Sequence, residues 1–88
     1  MKLNKVLIAG GITSDIEFRT VGEKNTGLAK FSIVAEDNNR RSFFDVTVWG
    51  KRAEGISKAF KKGSQVLIEG RLNQDSWELL IVTGKLLL

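Results

Sequence analysis

The stretch FFDVTVWGK, residues 43–51, decides the reading of this chain, because strand alternation splits it into two unlike faces. Successive side chains on a strand point to opposite sides, so residues two apart share one. Phe44, Val46 and Val48 form one uniformly apolar phase, suited to a core, while Phe43, Asp45, Thr47 and Trp49 form the other. An Asp and a Thr between two aromatics make a poor core layer, since an unpaired buried carboxylate is costly. The second face is therefore expected to meet solvent. Exposed aromatics interleaved with polar groups suit a sequence-tolerant stacking platform for nucleic-acid bases, each stacked base contributing roughly 1–3 kcal/mol. The competing reading places Phe43 and Trp49 under a loop or against another subunit.

Working outward, the chain has 88 residues, enough for one small core and one domain, residues 1–88. It contains no Cys and no His. Disulfides, thiolate metal sites, cysteine nucleophiles and the commonest general base are therefore all missing. Fourteen Lys and Arg against ten Asp and Glu give a net charge of +4, which permits a polyanionic partner without demanding one. No apolar run reaches membrane-spanning length, and the opening MKLNKVLIAGG lacks the features of a secretory signal. A soluble, cytoplasmic chain with no membrane contact is the expectation.

Flanking the opening stretch, KVLIAGGI (5–12) is expected to form a first strand, with the Gly10-Gly11 pair marking a bulge or bend where another segment passes close. Residues 13–27 form a polar loop with a short extended piece at its centre. LAKFSIVAE (28–36) alternates as a second strand with Ala29, Phe31, Ile33 and Ala35 inward. DNNRR (37–41) is a short hairpin loop leading to the third strand, from about Ser42 to Trp49, which Gly50 ends. KRAEGISKAFKKG (51–63) switches to helical period, with Lys61 and Lys62 in its last turn and Gly63 at the C-cap. SQVLIEGRL (64–72) is the fourth strand, eased by Gly70, and WELLIVTGKLLL (77–88) the fifth, interrupted at Gly84. The result is all-β with one short helix, in the order β-β-β-α-β-β. That is the element order of a five-stranded OB-fold barrel, although a generic small β-barrel shares it.

The blocks NKVLIAGGITSDIEFR, FFDVTVWGKRAE and KKGSQVLIEGRL resemble, in this order, those of the bacterial-type single-stranded DNA-binding proteins. The resemblance spans nearly the whole chain. It implies an OB-fold that binds single-stranded DNA without sequence preference, cofactor or catalysis, as a homo-oligomer, commonly a tetramer and alternatively a dimer. It carries Phe43 and Trp49 onto the family's stacking aromatics and Lys51, Lys61 and Lys62 onto its basic positions. Trp77 resembles a further aromatic, beyond a shortened turn after Arg71 and Leu72. Lys5, Lys30, Arg40, Arg41 and Arg71 complete the candidate nucleic-acid-binding residues.

Departures are equally specific. The family's extra Trp between the second and third strands is missing from DNNRR, and its basic run after the fourth strand is replaced by Asn73, Gln74 and Asp75. The sequence stops at Leu88, without the family's linker and acidic tail, so no tail-mediated recruitment of partners is expected of it. Weaker binding, or a shorter footprint, follows from the lost aromatic and thinned charge.

Three ambiguities remain at the level of sequence. Lys61 and Lys62 suit a helix dipole as well as a phosphate. Arg40 and Arg41 form either a phosphate clamp or a solvated loop tip. Asp45, with neither a His nor a neighbouring carboxylate in sequence, is a polar spacer rather than a catalytic base. No catalytic and no metal-binding residues are identified. An alternative function is an OB-fold accessory protein of replication restart, acting mainly through protein contacts. A cold-shock-like RNA binder is disfavoured for want of denser aromatic motifs. Leu67, Val34 and the apolar C-terminal run suggest contact between copies.

Overall fold

In a computed structural model, which describes residues 1–72 and 86–87, the chain forms one antiparallel sheet of strand segments with a single helix. The segments are β1 Val6–Ile12, β2 Glu17–Val21, β3 Thr26–Asp37, β4 Arg40–Trp49, β5 Gln65–Gly70 and β6 Leu86–Leu87, with α1 Lys51–Ala59 between β4 and β5. β3 is the hub, pairing with β1 and β2 on one side and with β4 on the other, while β1 continues the sheet to β5 and β5 to β6.

β2 is the extended piece anticipated within residues 13–27, and it does not add a strand to the order. Both β1 and β2 lie end to end along β3: Ile12 opposes Ile33, and Glu17 opposes Lys30. The four residues 13–16 therefore face Phe31 and Ser32 alone, and the two surplus residues make a bulge that bends the first strand. The bulge keeps its hydrogen bonds. Thr13 N–H donates to Ser32 O at 2.9 Å, and Ser32 N–H donates to Ser14 Oγ at 2.9 Å. The bulge expected at Gly10-Gly11 is thus displaced to residues 13–16, since both glycines stay in the β1–β5 ladder. The close passage expected there is present: a Cβ on Gly10 would lie 2.2 Å from Val34 O.

The core follows the alternation. Ala29, Phe31 and Ile33 of β3 are buried with Val46 and Val48 of β4, Ile12 of β1, and Val66 and Ile68 of β5. Burying a side chain such as Ile33 or Ile68 contributes about 1.5–3 kcal/mol relative to exposure. α1 closes one end of this layer with Ala53 and Ile56.

The entry to α1 rests on two glycines. Gly50 adopts φ 87° and ψ −156°, a region essentially restricted to glycine, and so turns the chain sharply from β4 into the helix. Its N–H donates to Gly27 O at 2.9 Å, an approach open because a Cβ on Gly27 would lie 2.7 Å from Gly50 O. The exit differs from expectation. The helix ends at Ala59, because Phe60 turns extended and packs against the core. Lys61 and Lys62 therefore lie outside the helix, in a turn whose positive-φ residue is Gly63, and Lys58 is the basic residue of the last helical turn.

Two substitutions separate backbone from packing effects. At both Gly50 and Gly55 an added Cβ meets nothing within 4 Å. Gly50→Ala should cost about 1–3 kcal/mol through backbone strain alone. Gly55→Ala, inside the helix, should gain about 0.5–1 kcal/mol. Urea unfolding of the two variants beside the parent chain measures both signs.

Candidate nucleic-acid interface

The surface presented by β4 is set by its ladder with β3, which runs unbroken from Asp37 opposite Arg40 to Leu28 opposite Trp49. Along the outward phase of β4, Phe43 stands beside Val34, Asp45 beside Ser32, Thr47 beside Lys30 and Trp49 beside Leu28, which is itself buried. Phe43 is 65% exposed and Trp49 46% exposed, whereas Phe44, Val46 and Val48 of the alternate phase turn toward the core. The aromatics are therefore not core residues. They stand six positions apart along the strand, about 20 Å at the usual rise, so one base cannot occupy both.

Between the aromatics the face is polar but not uniformly wet. Asp45 is exposed, and Ser32 Oγ donates to its Oδ1 at 2.9 Å. Thr47 is only 4% exposed, which corrects the expectation that the whole phase meets solvent. Its cross-strand neighbour is the half-buried Lys30, and a lysine stem readily covers such a site. Beside Asp45 the bulge at residues 13–16 opens a depression of about 420 Å³, to which Ser14, Glu17, Lys30, Ser32 and Asp45 contribute.

The basic residues fall into three groups. Lys30 lies on the aromatic face itself, and Lys51 follows Trp49 by two residues as the first residue of α1. Arg40 and Arg41 belong to β4 and not to a loop, because the hairpin turn is only Asn38-Asn39. Arg41 shares the outward phase with Phe43 and pairs with Glu36 at 3.2 Å. Lys61 and Lys62 are exposed in the turn that meets the end of β1, where Gly63 N–H donates to Ile12 O at 2.8 Å.

Lys5 and Arg71 stand apart. They occupy the far end of the β1–β5 ladder, beyond the Val6–Gly70 pair. Lys5 is six positions from Gly11, about 20 Å along an extended chain, and Gly11 pairs with Val34 next to Phe43. Lys5 Nζ is engaged by Glu69 at 2.7 Å, and that hydrogen bond and charge raise the ammonium above its ordinary value. The structure thus gathers Phe43, Trp49, Lys30, Lys51 and Arg41 on or beside one face and separates Lys5 and Arg71 from it. Trp77 lies outside the described residues. Among the described residues no group of three or more Asp and Glu could hold a metal ion.

Ser32, Ser14 and Val34 were not singled out from sequence as part of this surface, although each borders a candidate residue. For Ser32 and Val34 the signal was the Asn38-Asn39 pair, which fixes the cross-strand partners once it is taken as a two-residue turn.

Comparison with known proteins bears on this geometry. Residues 3–81 match the family described as the single-strand binding protein family. The chain is 36% identical over 83 residues to the single-stranded DNA-binding protein of Wolinella succinogenes, covering 84% of this chain and 51% of that protein. It is 38% identical over 85 residues to the one from Aquifex aeolicus, covering 86% and 57%. It thus spans about half the length of the curated relatives it matches. Among solved structures, the SSB domain of a Synechococcus protein superposes with a TM-score of 0.87 at 16% identity, covering 100% of this chain and 98% of that one. The single-stranded DNA-binding protein of Thermus aquaticus, in a deletion mutant, gives 0.83 at 28% identity, covering 96% and 40%. The fold is thus the OB-fold of these domains, and the chain belongs to the single-strand binding protein family.

Proposed function

We propose that the chain binds single-stranded DNA without reading a defined sequence, as one OB-fold unit that organises or protects exposed strands. The observation that carries this reading is the outward placement of Phe43 and Trp49 on one strand, with Lys30 between them on the neighbouring strand. Base faces stack on such side chains whatever the base, and only an unpaired strand offers those faces. Cations beside the stack neutralise phosphates and so supply the sequence-independent part of affinity. The names of the relatives support the same reading. It assigns the chain a binding role with no catalytic step and a cytoplasmic location; no helix among the described residues is long and apolar enough to cross a membrane.

The reading also places contact between copies on the part of the sheet away from the aromatics, which keeps Leu67 and leaves out Val34, since Val34 stands beside Phe43. Leu7 is 64% exposed there, in line with Ala9 and the half-buried Leu67 on the same outward phase of β1 and β5. An exposed leucine on a flat sheet suits a symmetric contact. This surface is also where a mainly protein-binding role would reside.

Three measurements test the proposal. Oligo-dT should bind far more tightly than the matching duplex at moderate salt; equal affinity would mean that charge alone acts. Trp49→Ala should weaken oligo-dT binding by roughly 1–3 kcal/mol with little change in salt dependence, while Lys30→Ala should lower the slope of log affinity against log salt by about 0.7. Sedimentation at micromolar concentration should give a species heavier than the 9.8 kDa chain, reduced toward the monomer by Leu7→Asp. A monomer in both cases would remove the self-association reading and leave the DNA reading in place.

A further inference from the structure

The aromatic face carries an anion at its centre, a costly feature on a surface meant for a polyanion. Asp45 is exposed, two positions from Phe43 and four from Trp49 on the same strand face. Its carboxylate does not neutralise a nearby base-binding cation: among the described residues no ion pair joins it to Lys30. Ser32 Oγ holds its Oδ1 at 2.9 Å, which orients the group and leaves further lone pairs facing outward. Those lone pairs open onto the depression of about 420 Å³ beside the bulge.

A carboxylate repels phosphate and accepts hydrogen bonds without donating any. Asp15 and Glu17 line the same depression, so that its three carboxylates outnumber Lys30, the single cation of the lining. The sugar-phosphate chain is therefore drawn to the Lys30 side of the depression, and a base edge is what remains to face Asp45. That edge must donate. Cytosine presents its N4 amino group, a recognised partner for an acidic side chain. Thymine presents the O4 carbonyl at the corresponding position, setting acceptor against acceptor.

We propose that Asp45, oriented by Ser32, biases the stacking platform toward bases that carry an exocyclic amino group, so that cytosine is favoured over thymine at this position. The inference rests on the single-stranded DNA reading and refines it: stacking supplies tolerance, and one carboxylate supplies a graded preference. Cytosine and thymine make the sharpest comparison, because both are single-ring bases of similar stacking area.

The test is fluorescence-anisotropy titration of the full chain with oligo-dC and oligo-dT of about 16 nucleotides, the upper site size for one OB-fold, near neutral pH. The readout is the ratio of the dT to the dC dissociation constant. Asp45→Ala should lower that ratio by about three- to ten-fold and should tighten dT binding itself. Asp45→Asn keeps the side chain's shape, guards against a folding defect and should move the ratio in the same direction. A ratio unchanged within two-fold in both variants, or equal weakening of both oligonucleotides, would overturn the proposal while leaving single-stranded binding intact. If neither oligonucleotide binds the parent chain at low salt, the underlying reading fails with it.

Discussion

The structure depends on the two-residue turn Asn38-Asn39. Both residues take positive φ, 47° and 69°, as a tight hairpin turn with the twist of its flanking strands requires. Asn tolerates that region better than other residues with a Cβ, because its short polar side chain can bond locally. The turn locks the ten cross-strand pairs of β3 and β4 into a single register. A slip of one residue would turn Phe43, Asp45 and Trp49 inward and expel Phe44, Val46 and Val48. The buried layer and the candidate binding face are thus two consequences of one local conformation.

A second constraint acts where β1 gives way to β2. The surplus residues at 13–16 bend the first strand away from β3 and create the depression beside Asp45, with Ser14 supplying the acceptor that Ser32 N–H would otherwise lack. Ser32 therefore serves both sides of its strand's geometry: its backbone closes the bulge and its hydroxyl orients Asp45. Platform and bulge meet at this one residue, which is why the polar centre of the aromatic face has a defined shape and is not merely a gap between two rings.

Much of this was legible in the sequence, and the failures share a cause. An apolar run identified β1, and period-two alternation identified β3, β4 and β5 and assigned the two phases of β4, because an apolar phase and an aromatic-polar phase differ sharply in the cost of burial. Thr47 escaped that logic because its burial is set by its neighbours across the sheet, Lys30 among them, which strand alternation does not reveal. Reading DNNRR as a five-residue loop took Arg40 and Arg41 out of the strand, and hid the Ser32–Asp45 pairing that register would have given. The helix was drawn through Lys62 because Phe60 continues the helical spacing of Ala53 and Ile56 and Gly63 suits a C-cap, whereas Phe60 leaves the helix to reach the core. Lys5 illustrates the limit for charges: its partner Glu69 is sixty-four positions away, beyond any local pattern. The expected fifth strand falls within the described residues only at Leu86–Leu87, which pair with β5.

On the proposed function, a single strand lies along the outward phase of β4 with its β3 neighbours. Amide chemical-shift mapping during titration with oligo-dT tests it most directly, because every element reports at once. The largest perturbations are expected at Phe43, Asp45, Trp49, Lys30 and Ser32, with Leu7, Ala9 and Leu67 little changed. Perturbations concentrated at Leu7, Ala9 and Leu67, with β4 unmoved, would contradict it.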